Sequence, residues 1–244
     1  MSLDGSSVLV TGGTRGIGLA IAHRLVRDGA RRVVLGYLRN DSAAEAAAEE
    51  LLGGGVDVDL VRGNVASEKV VAKLAAAGPY RVVIHNAATG VVRSALETED
   101  KHWDWTMNAN ARSLLALARA TAPAMADGSS IVAVSSLGSQ RVLDNYVLIG
   151  ASKAALEAVV RYLGVELAPR GVRVNAVSAG VVETGALEHF PNKDEMLATA
   201  DRTPAGRLVA PGDVAAAVSF LCSGDARMVC GQTLVVDGGF SLPA

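Results

Sequence analysis

The sequence has 244 residues, which suits one doubly wound α/β domain and is short for two complete domains. Half of the residues are hydrophobic and only 4% are aromatic, so we expect a core of valine, alanine, leucine and isoleucine packed between a sheet and helices. The formal charge of -2 offers no general attraction to nucleic acid or to an anionic membrane, and neither is expected as a partner.

Short apolar runs alternate with amphipathic stretches along the chain. Seven runs are typical of buried strands: Ser7–Thr11, Arg32–Tyr37, Asp57–Val61, Arg81–His85, Ser130–Ser135, Val172–Val177 and Gln232–Val236. Helical patterns cover Ile17–Asp28, Ser42–Leu52, Ser67–Ala76, Lys101–Ala126, a stretch ending near Ala168, and Asp213–Cys222. This alternation predicts a doubly wound parallel sheet with helices on both faces, in a single Rossmann-type domain over residues 1–244.

The sequence carries no sign of a metal site or of export. Cys222 and Cys230 have no metal-like spacing, and the four histidines are scattered. The start, Met1–Asp4, lacks the basic and apolar regions of a signal peptide, and no segment approaches 18 uninterrupted apolar residues. We therefore expect a cytoplasmic protein with reduced thiols.

A glycine-rich turn, Thr11–Gly18, joins the first strand to the first helix. Glycines allow a sharp turn and a close approach to a pyrophosphate, and the helix N-terminus supplies unpaired N–H groups for the anion. A tight loop without a ligand is the alternative interpretation, but the position between a strand and a helix favours dinucleotide binding. The residues expected to contact the cofactor here are Gly12, Thr14, Arg15 and Ile17.

The end of the second strand predicts which nicotinamide cofactor is used. An acidic residue at this place would bind the free ribose hydroxyls of NAD, but the segment Gly36–Asn40 contains no carboxylate. Arg39, together with Arg15, could instead bind a 2′-phosphate through charge-assisted hydrogen bonds. A solvated surface arginine is the alternative. We expect NADPH, with Tyr37 and Arg39 in its binding site.

With these features the chain resembles the short-chain dehydrogenase/reductase family over nearly its full length. The motifs that carry the resemblance are the glycine-rich turn, His85–Ala88, Asn110, Ser136, Lys153, the run Asn175–Gly180 with Thr184, and Val236–Gly239. The resemblance implies that Lys153 holds the nicotinamide ribose. It also implies that the chain is a homotetramer. The further cofactor contacts that it implies are Asn64 and Val65 beside the adenine, Asn86, Ala87 and Ala88 along the cofactor, and Gly180 and Thr184 near the nicotinamide or pyrophosphate.

The position of the tyrosine departs from the usual pattern. Ketone-reducing members place a tyrosine four residues before the lysine, where this chain has Ile149. The nearest tyrosine, Tyr146, lies seven residues before Lys153. This spacing resembles the FabL-type enoyl-[acyl-carrier-protein] reductases of the family, which implies an acyl thioester substrate, carried on an acyl carrier protein.

There is a physical reason for such a displacement. When an enoyl thioester accepts hydride at its β-carbon, negative charge accumulates on the thioester oxygen, two carbons away. On a helix, offsets of four and seven residues rotate by about 400° and about 700°, so both positions share the face of the lysine. The second position lies ~4.5 Å further along the axis. We therefore expect Tyr146 to hydrogen-bond the developing enolate oxygen, while Lys153 adds positive charge.

The remaining candidate residues leave alternatives open. Ser136 keeps its register with the missing tyrosine and is interpreted as site-lining, with or without a catalytic part. Asn110 either bends the helix and supports a water near the lysine, or is a satisfied structural amide. The segment from Gly185 to Gly206 is expected to cover the substrate, or to be a plain surface helix with a buried stripe. Its residues expected to contact an acyl chain are Leu187, Phe190, Met196 and Leu197.

Three functions therefore remain in view. The tyrosine spacing favours an enoyl-thioester reductase. A carbonyl reductase acting on ketone intermediates, such as those of polyketide synthesis, is the alternative, since one scaffold hosts both chemistries. A nucleotide-binding sensor without catalysis is a third, which the presence of both Tyr146 and Lys153 disfavours.

Overall fold

A computed structural model describes residues 3–185 and 193–242 of the chain. Seven parallel strands form one sheet in the order β3-β2-β1-β4-β5-β6-β7. The strands are β1 (Ser7–Thr11), β2 (Arg32–Tyr37), β3 (Asp57–Arg62), β4 (Val82–His85), β5 (Ser130–Ser136), β6 (Arg173–Ala179) and β7 (Thr233–Val236). The strand order reverses between β1 and β4, and a cleft at the carboxyl ends of the strands is expected at such a point. The predicted Rossmann-type fold is confirmed.

Helices connect successive strands and cover both faces of the sheet. They are α1 (Gly16–Arg27), α2 (Asp41–Leu52), α3 (Glu68–Ala76), α4 (Asp100–Met107), α5 (Ser113–Thr121), α6 (Val147–Leu167), α7 (Lys193–Ala198) and α8 (Pro211–Cys222). In the part of the chain that the structure describes, no helix has both the length and the apolar character needed to cross a lipid bilayer.

The central strands are buried on both faces because successive side chains point to opposite sides of the sheet. Val8 and Val10 of β1 join one core cluster, with residues of α1 and α8. Leu9 joins the other, with residues of α5 and α6. Two apolar layers therefore hold the sheet, which explains why aliphatic residues fill the middle of β1 and β4.

The long helix expected over Lys101–Ala126 is confirmed, since α4, a π-turn and α5 follow one another without a break from Asp100 to Thr121. A π-turn, Asn108–Arg112, separates α4 from α5. The backbone N–H of Ser113 reaches back five residues to the carbonyl of Asn108, as in a π-helical bulge. The Ser113 hydroxyl donates to the displaced carbonyl of Ala109 at 2.5 Å, so that this buried acceptor remains satisfied.

Candidate active site

A cleft of about 670 Å³ opens at the carboxyl ends of the strands, beside the point where the strand order reverses. It runs from the glycine-rich turn to the start of α6. Its lining contains most of the residues expected from the sequence to bind a cofactor: Gly12, Thr14, Arg15, Ile17, Tyr37, Arg39, Asn64, Val65, Asn86, Ala87, Ala88, Lys153 and Thr184. Ser136 and Tyr146 line the same cleft.

The ends of β1 and β4 are tied together at the floor of the cleft. The Thr11 hydroxyl accepts hydrogen bonds from the backbone N–H groups of Asn86 and Ala87, at 3.0 and 3.1 Å. The Asn86 amide donates to the carbonyls of Thr11 at 3.1 Å and Gly12 at 2.9 Å. Asn86 therefore fixes the shape of the glycine-rich turn from the neighbouring strand.

Two positions of the turn favour glycine, one for its backbone angle and one for lack of space. Gly12 has a φ of 63°, and a Cβ at Gly18 would lie 2.1 Å from the carbonyl oxygen of Gly12. α1 begins directly after the turn, with no acidic residue in its first turn and no side chain capping its N-terminus. Its first N–H groups are thus available to an anion, which fits the pyrophosphate of a dinucleotide.

The end of the cleft formed by the glycine-rich turn and the carboxyl end of β2 contains two arginines. Arg15 and Arg39 both line the cleft, as the expected binding of a 2′-phosphate requires. The nearby carboxylate of Asp41 is engaged elsewhere, since it accepts a hydrogen bond from Tyr37 Oη at 2.9 Å and pairs with Arg62 at 3.1 Å. The bond to Asp41 raises the pKa of the Tyr37 hydroxyl. The sequence analysis did not identify the pairing of Asp41 with Arg62.

Lys153 lies at the opposite end of the cleft, inside the first half of α6. Its side chain is 5% exposed, and Nζ donates to the carbonyl of Val134 on β5 at 2.7 Å. Burial lowers the pKa of Lys153 to about 8, while the charge of Glu157 acts in the opposite direction. The buried ammonium gives this end of the cleft a fixed positive charge close to neutral pH.

Tyr146 is the residue immediately before α6. Its hydroxyl lies 3.4 Å from the Ser136 hydroxyl at the end of β5. Its ring rests on Gly138, where a Cβ would come within 2.6 Å of the ring carbons. Burial raises the pKa of Tyr146, and the contact with Ser136 opposes this shift. The phenol is therefore protonated at neutral pH and can donate a hydrogen bond into the cleft.

The sequence analysis placed Ser136 in register with the missing tyrosine rather than with Tyr146. The structure brings Ser136 to Tyr146, because the chain between them folds through a 3₁₀ turn, Leu137–Ser139, before α6 begins. Ile149 occupies the usual tyrosine position and is 8% exposed. It packs so closely against Gly90 that a Cβ there would lie 2.3 Å from Ile149 Cγ1.

Asn110 is fully buried in the π-turn. Its side-chain amide donates to the carbonyl of Thr89 and to the Ser152 hydroxyl, both at 2.8 Å, and its oxygen accepts from the N–H of Thr89 at 2.9 Å. The side chain thus joins the loop after β4 to α6. This geometry favours the structural interpretation of the Asn110 side chain, while its expected catalytic part stays a prediction.

The other predicted residues differ in where the structure places them. Thr184 lies beside the start of α1, where a Cβ at Gly16 would be 3.5 Å from Thr184 Cγ2. Gly180 packs against Asp237 and is not among the residues that line the cleft in the described chain, so its cofactor contact stays a prediction. Met196 and Leu197 lie in α7, partly buried and also outside that lining. Leu187 and Phe190 lie outside the described residues.

Two residues of the site, Trp105 and Glu157, do not belong to any of the sequence motifs. Trp105 of α4 lines the cleft, which only the packing of α4 reveals. Glu157 lies four residues after Lys153, and its carboxylate is buried. The four-residue offset does place Glu157 on the face of Lys153, and this was the only signal from which its position could have been found.

A glycine-cradled cleft with a buried lysine and a tyrosine at one end defines a dinucleotide-dependent oxidoreductase. A family model described as "Enoyl-(Acyl carrier protein) reductase" matches residues 12–241. The chain is 37% identical to 1-cyclohexenylcarbonyl-CoA reductase of Streptomyces collinus, over 97% of this chain and 87% of the relative. It is 35% identical to galactitol 2-dehydrogenase (L-tagatose-forming) of Cereibacter sphaeroides, over 98% and 96% of the two chains. The chain belongs to the short-chain dehydrogenase/reductase family.

Solved structures agree with this assignment. A short chain dehydrogenase from Burkholderia cenocepacia, in complex with NADP, superposes with a TM-score of 0.89 at 30% identity, over 98% of this chain and 99% of the other. A blue fluorescent protein from a metagenomic library, in complex with NADPH, gives a TM-score of 0.90 at 30% identity, over 99% and 100% of the two chains. The cofactors of these two relatives agree with the NADPH expected from Arg15 and Arg39.

Proposed function

We propose that this oxidoreductase uses NADPH to reduce the 2,3 double bond of an enoyl thioester. The observation that carries the proposal is the pair of positions before Lys153. Tyr146 lines the cleft seven residues before the lysine, whereas the aliphatic Ile149 is buried at the four-residue position. The only phenol at this end of the described cleft therefore lies three residues, or about one helical turn, further from the lysine than the usual tyrosine position.

The residues of the site have distinct roles in this reaction. When bound, NADPH supplies a hydride to the β-carbon of the substrate. Tyr146 donates a hydrogen bond to the thioester oxygen, on which negative charge develops, and so stabilises the enolate. Lys153 holds the nicotinamide ribose and adds positive charge near the same oxygen. The Ser136 hydroxyl, 3.4 Å from that of Tyr146, orients the phenol toward the cleft.

The chemistry of one relative supports the proposal. The Streptomyces collinus enzyme is named for the reduction of 1-cyclohexenylcarbonyl-CoA. In this compound the ring double bond begins at the carbon that carries the thioester carbonyl. That substrate is itself an enoyl thioester. The carrier here is coenzyme A, whereas the matching family model is named for an acyl carrier protein. Both carriers present the same thioester group to Tyr146, and an acyl carrier protein stays our proposal for this chain.

Ketone reduction is the second candidate, and the contact between Ser136 and Tyr146 favours it. A serine and a tyrosine hydroxyl at 3.4 Å could together bind a ketone oxygen. The similarity to a galactitol dehydrogenase points in the same direction. If a larger substrate places its carbonyl beside Tyr146, the displaced phenol can serve this reaction as well.

Oxidation of NADPH with different acceptors separates the two candidates. Crotonyl-CoA, 1-cyclohexenylcarbonyl-CoA and acetoacetyl-CoA are assayed side by side, each also as the acyl carrier protein thioester where it can be made, with NADH as the cofactor control. We expect turnover with the two enoyl thioesters and none with acetoacetyl-CoA. Turnover with acetoacetyl-CoA alone would establish ketone reduction and remove the enoyl proposal.

A further inference from the structure

Glu157 of α6 has a buried carboxylate that the proposed reaction does not use. The residue is 3% exposed. Oε1 accepts hydrogen bonds from the hydroxyls of Ser135 and Ser139, both at 2.6 Å, and Oε2 accepts from Gln140 Nε2 at 3.3 Å. All three donors are neutral groups. A buried charge is costly unless it is both hydrogen-bonded and paired with an opposite charge, so a cation is expected close to this carboxylate.

The position of Glu157 relates it directly to Lys153. The two residues are four apart on α6, an offset that places side chains on one face with their Cβ atoms about 5–6 Å apart. Both side chains reach β5 at consecutive residues, since Lys153 bonds the carbonyl of Val134 and Glu157 bonds the hydroxyl of Ser135. A buried cation and a buried carboxylate therefore lie side by side between the helix and the sheet.

We propose that Glu157 is a positioning residue whose carboxylate, held by Ser135, Ser139 and Gln140, is the counter-charge of the Lys153 ammonium. The carboxylate keeps the lysine charged although its side chain is buried. The inference rests on Lys153 binding the cofactor, as proposed above. It is independent of whether the acceptor is an enoyl thioester or a ketone.

The other groups around Lys153 do not supply this charge. His85 on β4 is fully buried, and burial together with the charge of Lys153 lowers the pKa of His85 to about 3, so the ring is neutral at working pH. Tyr146 keeps its proton because burial raises its pKa. Burial alone drives the pKa of Lys153 down, and the negative charge of Glu157 opposes that shift. Removing the charge therefore lowers the pKa of Lys153 further, and the ammonium is lost at a lower pH.

The test measures NADPH affinity against pH, by the fluorescence of the bound cofactor, in the wild type, Glu157→Gln and Ser139→Ala. Glutamine keeps an oxygen for the two serine hydroxyls and removes the charge. Ser139→Ala is the matched control, because it removes one hydrogen bond to the same carboxylate and leaves the charge. The 2′-phosphate of the cofactor titrates near pH ~6, below the range of interest from about pH 7 to 10.

We expect the affinity of the wild type to fall as the pH rises through the pKa of Lys153. In Glu157→Gln the midpoint of that fall moves to lower pH by about one unit, a tenfold change in the proton affinity of the lysine. In Ser139→Ala the midpoint stays with the wild type. An unchanged midpoint in Glu157→Gln, or an equal shift in both variants, would overturn the proposal.

A third variant covers the case in which Glu157→Gln does not fold. Glu157→Asp keeps the charge in a shorter side chain, and its midpoint should stay close to that of the wild type. A midpoint in Glu157→Asp as low as the one expected for Glu157→Gln would overturn the proposal. A wild-type affinity that is flat from pH 7 to 10 would remove the contact of Lys153 with the cofactor, and this inference with it. No acyl substrate is present, so failure of the enoyl-reductase proposal is detected separately.

Discussion

Tyr146 is the residue on which the proposed chemistry depends most. Tyr146→Phe removes the hydroxyl and leaves the ring on Gly138, so the fold and NADPH binding should be unchanged. Loss of one hydrogen-bond donor to a developing oxyanion lowers kcat by about 10²–10³-fold. We expect a decrease of this size with crotonyl thioesters, measured as NADPH oxidation.

The matched control for this substitution lies on the same helix. Tyr162 of α6 is 80% exposed, and Tyr162→Phe removes a hydroxyl far from the cleft. The control should retain wild-type kcat. Full activity in Tyr146→Phe would contradict the role of the phenol.

The burial of the Lys153 ammonium is expected to reduce the stability of the protein. The pKa of Lys153 is about 8 in the folded protein, below its ordinary value of 10.5. Between pH 8 and 10.5, the lysine is therefore protonated more fully in the unfolded chain than in the folded protein. Stability therefore rises with pH in this range, and the cost of burying the ammonium is greatest below pH 8. Lys153→Met should abolish measurable NADPH binding and remove this rise in stability with pH, and it leaves the Glu157 carboxylate without its proposed counter-charge.

Thermal unfolding at several pH values checks this prediction. The wild type should gain stability relative to Lys153→Met as the pH rises from 8 toward 10.5. Lys73→Met, on the exposed face of α3, provides the control and should show no such trend. A melting-temperature difference between Lys153→Met and the wild type that stays constant from pH 8 to 10.5 would contradict the account.

Among the elements, the turn between β1 and α1 makes the sharpest prediction. A Cβ at Gly18 would lie 2.1 Å from the Gly12 carbonyl oxygen, so Gly18→Ala must displace the backbone that faces the cofactor. We expect a loss of about 1–3 kcal/mol of stability from overpacking, together with weaker NADPH binding. Gly212→Ala in the first turn of α8 is the control, since a Cβ there meets nothing within 4 Å.

Calorimetry or fluorescence titration of both variants tests this turn. Unchanged NADPH affinity in Gly18→Ala would show that the turn does not bind the pyrophosphate. A weakened Gly212→Ala would show that any added methyl group near a helix start has the same effect.

The elements differ in how well the sequence predicted them. β1 and β2 begin and end where expected, because each is a continuous apolar run buried on both faces. The helix over Lys101–Ala126 was predicted, but its π-turn was not. The contact of Asn110 with Ser152, 42 residues away in the sequence, was not predicted either, because no local pattern records such a contact.

The site, like the fold, was predicted where short motifs specify it and was not predicted where it depends on packing between distant segments. The glycine-rich turn and Lys153 carry their chemistry in short motifs, and the structure places both in one cleft. The contact between Ser136 and Tyr146 and the burial of Glu157 depend on how α6 packs against β5. The pairing of Arg62 with Asp41 depends on how β3 lies beside α2. Spacing along the chain could not supply these distances.

At the scale of the whole molecule, the expected homotetramer is our proposal. Four large apolar residues of α5 and α6 are exposed in the single chain: Leu115, Val147, Tyr162 and Val165. Such a face is expected to be covered by another subunit. Light scattering after gel filtration should give about four times the chain mass of 25.0 kDa.

A charge placed on this face should break the assembly. Val165 is 78% exposed, and Val165→Glu should reduce the measured mass if α6 packs between subunits. Leu96→Glu is the control, because Leu96 is fully exposed in the loop before α4. A wild-type monomer at micromolar concentration would contradict the tetramer.

The central claim, reduction of a carbon–carbon double bond, is tested most directly by the carbon that receives the hydrogen from the cofactor. The protein is incubated with NADPH deuterated at both C4 positions and a mixture of crotonyl and acetoacetyl thioesters, and the products are analysed by NMR. The account predicts butyryl thioester with deuterium on the β-carbon and unreacted acetoacetyl thioester. Deuterium on the carbinol carbon of 3-hydroxybutyryl thioester, with the crotonyl thioester untouched, would contradict it.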